Sequence, residues 1–224
     1  MFGNINGGIV MKKLFLIICI LIFSTSAQAV ECYSAYECTV FGELYIKEKD
    51  YKEAVECFDK AISFYDKCFI AYAFRAKANF YLKEYHKTFN DASKSIEISP
   101  NPVGYGLRAS AKLALGDEKG AIEDTTKALE LDLRYMKCYE VRARAKVKLK
   151  DYNGALEDIQ KALALRPNYA KSYEVKARAE QGLKDYRSAK RDFEVAEGFF
   201  KLQEDTVNEK KMQRLVRYCK RRIR

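Results

Sequence analysis

"DYNGALEDIQKALALRP", residues 151–167, decides the fold. An acid opens it where a helix N-cap would stand, a small residue follows at Ala155, and Ala162 returns seven residues later on the same helical face. The pattern is one of five. "DYKEAVECFDKAISF" begins at Asp50, "EYHKTFNDASKSIEISP" at Glu84, "DEKGAIEDTTKALELD" at Asp117 and "DYRSAKRDFEVAEGF" at Asp185. Successive copies are 34, 33, 34 and 34 residues apart, the mark of a repeat array. Upstream of each copy lies a second helical segment with its own small residue: Gly42, Ala76, Ala109, Ala143 or Ala177. Small side chains let two antiparallel helices approach closely, so each unit reads as a helix hairpin crossing at these residues.

Aligned on these small residues, the chain resembles the tetratricopeptide repeat family. With the second-helix small residue numbered position 20, the repeats run 35–68, 69–101, 102–135, 136–169 and 170–203. Position 8 is Gly or Ala, position 17 is aromatic in four repeats (Tyr51, Tyr85, Tyr152, Tyr186), and Pro100 and Pro167 stand at position 32. Position 4 holds Cys38 and tyrosines rather than tryptophan, and Glu118 and Asp66 also depart from the pattern. The resemblance implies an all-α fold, a right-handed superhelical solenoid of antiparallel hairpins. One hairpin cannot bury its apolar face alone, but stacked neighbours form a continuous core that needs a cover at its end. Residues 204–224 suit that role as a basic amphipathic capping helix and tail, with Met212, Leu215, Val216 and Cys219 on one face.

Position 7 reads Phe41, Arg75, Arg108, Arg142 and Lys176, and position 23 reads Cys57, Asp91, Asp124, Asp158 and Asp192. Where one is basic the other is acidic, and where one is aromatic the other is uncharged. Across a hairpin that crosses at positions 8 and 20 these residues face each other, which predicts four intra-repeat ion pairs.

The segment 1–29 reads as a secretory signal that starts at Met11: Lys12 and Lys13, an apolar run from Leu14 to Phe23, then Ala27-Gln28-Ala29. Residues 30–34 form a short N-terminal segment. Export, to a periplasm or outside the cell, places six remaining cysteines in an oxidising compartment. Cys32, Cys38, Cys57 and Cys68 are candidates for one or two disulfides that staple the first repeat. The alternative is that they are small apolar core residues. The formal charge of +10 is uneven: residues 209–224 hold eight Lys or Arg against one Glu, and the repeats are near neutral.

No catalytic constellation is present. His86 is the single histidine, no phosphate-binding glycine loop occurs, and no metal or cofactor motif is found. The family resemblance implies instead a concave groove, lined by the first helices, that binds a protein or peptide partner as a scaffold or adaptor does. Its positions carry Tyr36, Ile70, Phe80 and Tyr81 in the early repeats. In the late repeats they carry Glu140, Arg144, Lys148, Lys171 and Arg178. Such a groove passes from apolar to mainly basic and fits a segment that is apolar and then acidic. An alternative role is peripheral contact with an anionic membrane through 209–224, and export makes nucleic acid the poorer match for that tail.

Overall fold

The computed structural model describes residues 32–223. Eleven helices and no strand occur among them. The helices lie in one compact unit that begins at Ser34. The hairpins pair α1 (Ala35–Glu48) with α2 (Tyr51–Phe64), α3 (Phe69–Tyr81) with α4 (Tyr85–Ile98), and α5 (Pro102–Leu115) with α6 (Glu118–Leu131). They continue with α7 (Met136–Lys148) on α8 (Tyr152–Leu165) and α9 (Ala170–Gly182) on α10 (Tyr186–Leu202), and α11 (Thr206–Arg222) packs on α10. The result is an all-α solenoid. The signal expected over 1–29 falls outside the described residues.

Local chemistry sets the helix ends. Asp117, Asp151, Asp185 and Asp205 are N-caps whose carboxylates accept from the backbone N–H three residues on, at 2.8–3.1 Å. Asn101 does the same for Gly104, with Pro102 placed where its missing N–H costs nothing. Between the two helices of every hairpin one residue is left-handed: Lys49, Lys83, Gly116, Lys150 or Lys184. Four of the five are lysines in a conformation that glycine adopts more readily.

The alanines at positions 8, 20 and 27 are fully buried in every repeat that has them. Position 8 of the first repeat is Gly42 because the Phe58 ring occupies the space: a Cβ there would lie 2.5 Å from the ring, which stacks on Phe74 at 6.0 Å. At the far end, α11 lays Met212, Val216 and Cys219 over Phe193 and Phe200, with Leu215 partly buried beside them.

First helices of neighbouring repeats touch one another, whereas second helices of neighbouring repeats do not to any comparable extent. The stack therefore curves with α1, α3, α5, α7 and α9 on its inner face.

Cys32 and Cys38 are disulfide-bonded. The staple does not reach Cys57 and Cys68, which are free thiols, as are Cys138 and Cys219. Cys38 is already committed to a disulfide, and Cys57 stands buried in the seam opposite α1 as a small core residue. Burial pushes the Cys57 thiol up to about 11 and the Cys138 thiol up to about 12, so both stay protonated and inert at neutral pH.

Candidate functional site

Four of the five hairpin seams are built around the position-7 cation. Arg142 Nε and Nη2 donate to the two Asp158 oxygens at 3.0 and 2.6 Å, a bidentate fork between α7 and α8. Arg108 grips Asp124 at 2.8 Å through both nitrogens, and Arg75 grips Asp91 at 3.0 and 2.6 Å. In the fifth repeat Lys176 Nζ lies 2.7 Å from Asp192. The first repeat has the apolar version, Phe41 and Cys57.

Two further features of these seams were missed from sequence. Position 11 lies one helical turn beyond position 7 and supplies a second donor: Asn79 to Asp91, Lys112 to Asp124 and Lys146 to Asp158, at 3.0, 2.9 and 2.8 Å. The third guanidinium nitrogen reaches back to the preceding repeat. Arg75 Nη1 donates to Asp59, Arg108 Nη1 to Ser93 and Arg142 Nη1 to Thr126, at 2.5, 3.5 and 3.2 Å. The i, i+4 spacing of positions 7 and 11 was the available signal. The position-4 tyrosines Tyr72, Tyr105 and Tyr139 cover the same guanidiniums at 5.4–5.7 Å. Burial pushes the Asp124 carboxyl up, but its bonds to Arg108 and Lys112 outweigh this and hold it below the usual aspartate range.

These seams are scaffold, and what they present is the inner face. Tyr36 (79% exposed) and Ile70 stand free on it. Phe80 and Tyr81 do not project alone as single anchors. Tyr81 stacks on Tyr51 at 4.7 Å, and Phe80 packs against both Tyr81 and Tyr85. An aromatic cluster near the α1–α2 and α3–α4 turns therefore absorbs them.

In the late repeats Glu140 is the correction. The sequence places it on the groove surface, yet it is 1% exposed. It forms a buried counter-ion for Lys137 and for Arg144, whose Nη1 lies 3.4 Å away. Burial pushes its carboxyl up, and the two cations, Lys137 first, outweigh that and hold it low. Arg178 pairs with Glu174 at 3.0 Å, and Lys148 pairs with Glu118 at 3.0 Å. The cap reaches this face too, through Lys211 to Glu174 at 2.8 Å. Lys171 has no ion-pair partner among the described residues. Loss of hydration in the groove, and then the proximity of Lys137, hold its ammonium below the usual lysine value. Glu140 is thus shared by two cations while a third beside them goes unmatched. Glu140, Glu174 and Asp205 act on Lys171 only from a distance, without an ion-pair contact. No cluster of metal-ligating side chains occurs among the described residues.

The tetratricopeptide repeat family model matches residues 38–68 and 137–169. A TPR repeat-containing protein of Methanocaldococcus jannaschii is 31% identical over 114 residues, 51% of this chain and 20% of its own length. RNA polymerase II-associated protein 3 of Xenopus tropicalis is 37% identical over 93 residues, 41% of this chain and 14% of its own. The chain therefore spans a fifth or less of these relatives. The solved structure of a thermophilic TPR protein of Thermus thermophilus superposes with a TM-score of 0.70, covering 81% of this chain and 98% of that one at 15% identity, a likeness of fold. Five hairpins with small residues at their crossings, stacked with their first helices inward, agree with all of these matches: residues 38–68 and 137–169 carry the tetratricopeptide repeat pattern, and the fold is that of a tetratricopeptide repeat solenoid.

Proposed function

We propose that the chain is an interaction scaffold whose inner face holds an extended segment of a partner protein, with acidic residues of that segment seated over α7 and α9. The observation that carries this reading is Lys171, without an ion-pair partner beside Lys137 and Arg144, whose shared acid Glu140 is buried beneath them. A carboxylate there would gain charge-assisted bonds in a partly dehydrated setting. The exposed Tyr36 and Ile70 at the other end supply apolar contact area. Disulfide-bonded Cys32 and Cys38 support the export read from residues 12–29, since such bonds persist in oxidising compartments.

The test is a peptide array probed with the chain lacking residues 1–29. Bound peptides are expected to be rich in Asp and Glu, and Arg144→Glu with Lys171→Glu should weaken them about tenfold or more. Binding without acidic preference, unchanged in the double variant, would remove this reading.

A second reading rests on the outer face of α11. Lys210, Arg214, Arg217, Lys220 and Arg221 are exposed there, and none pairs with an acid among the described residues. Such a stripe suits an anionic lipid surface. No helix among the described residues is long and apolar enough to cross a membrane, so contact would be peripheral. Equal, negligible sedimentation of full-length and 1–208 proteins with anionic vesicles would end it.

A further inference from the structure

The charged seams share one plan up to their third member. Position 11 gives Asn79, Lys112 and Lys146 as extra donors to the aspartate opposite. In the last repeat that place holds Glu180, so a second acid joins Asp192 with one lysine between them. Lys176 Nζ lies 2.7 Å from Asp192 Oδ2 and 3.6 Å from Glu180 Oε1. The other Glu180 oxygen, Oε2, is buried without a hydrogen-bond partner. Two carboxylates around one ammonium leave surplus negative charge in a site largely closed to water, and a proton relieves it.

We propose that Glu180 holds a proton beside Asp192, and that its loss on raising the pH weakens the hold of the last hairpin and its cap. The neighbouring elements add little to oppose this. On α9 stands Lys176; α10 brings Asp192 and, at its N-cap, Asp185. From α8 the Tyr152 ring lies against Gly182, two residues beyond Glu180, and Lys146 of α7 is engaged with Asp158. Burial first, and then Asp192, push the Glu180 carboxyl up to about 7, with Lys176 working against them. A carboxyl held above its ordinary value stabilises the fold fully below that value, and the benefit is lost as pH climbs through about 7. Lys171, Glu174 and Arg178 ride on the same helix, and the cap's Lys211 attaches to Glu174. On the groove reading above, pH therefore tunes how firmly the basic half of the inner face is held.

Hydrogen exchange on the full chain, corrected for intrinsic rates, tests this between about pH 5.5 and pH 8.5. Protection of α9–α11 should fall about tenfold more than that of α5–α7 across this range. Glu180→Gln should flatten the fall, because an amide donates to Asp192 without titrating. Glu180→Lys, which restores the arrangement of the third and fourth repeats, should flatten it and raise protection at the upper pH. A wild-type chain in which both blocks follow the same pH course would overturn the proposal. So would a fall that persists in either variant, and the lysine variant carries the test if the glutamine one fails to fold. The readout involves no partner, so it succeeds or fails apart from the groove reading.

Discussion

Arg142 uses its nitrogens in two directions, two on Asp158 across its own hairpin and one on Thr126 of the repeat before. Asp158, 1% exposed, also takes Lys146. Asp158→Ala leaves two cations facing each other in a dry seam and should cost about 3–5 kcal/mol in urea unfolding. Rewriting the seam as the first repeat has it, Arg142→Phe with Lys146→Tyr and Asp158→Cys, should cost clearly less, because no charge is stranded. A loss as large as that of Asp158→Ala would show that packing, not charge, sets the penalty. Acid should act here in the opposite sense to Glu180. Asp124 is held below its ordinary value, so its contribution is complete above the usual aspartate range and is lost as pH falls through and beneath it. Stability that did not decline in that acid range would count against the seams as described. The alternation of Arg and Asp down the repeats made the position 7–23 partnership visible in sequence. The burial of Glu140 was not visible, because groove position says where a helix face points and not how long neighbouring side chains close over it.

At the scale of the element, the inter-helix turns hold the least expected feature. Gly116 alone announces a left-handed residue in the sequence, yet Lys49, Lys83, Lys150 and Lys184 adopt the same conformation. Hairpin geometry imposes it whatever residue stands there. Lys150→Gly relieves that strain and should stabilise the chain by about 0.5–1 kcal/mol, read from the denaturation midpoint. Gly42→Ala should do the reverse, even though alanine fills this position in the other four repeats. Its Cβ would meet the Phe58 ring and force repacking at about 1–3 kcal/mol. An unchanged midpoint for Gly42→Ala would mean that the ring moves aside freely. Helix existence and order were legible from the 34-residue period and the small-residue column. Cys32 and Cys38 stood among four disulfide candidates, but which of the four would bond was not legible, since cysteine serves equally as a core residue, and Cys57 does so here.

Over the whole molecule, the arginine forks join neighbours as well as closing hairpins. Arg75, Arg108 and Arg142 tie the second repeat to the first, the third to the second and the fourth to the third. Lys176 has one nitrogen, already set between Asp192 and Glu180, and cannot extend that chain of links to the fifth. In an array whose stability is a sum of unit terms and neighbour couplings, one weak coupling divides the cooperative block. The first four repeats should therefore unfold together, while the fifth repeat and its cap open as a separate, earlier unit.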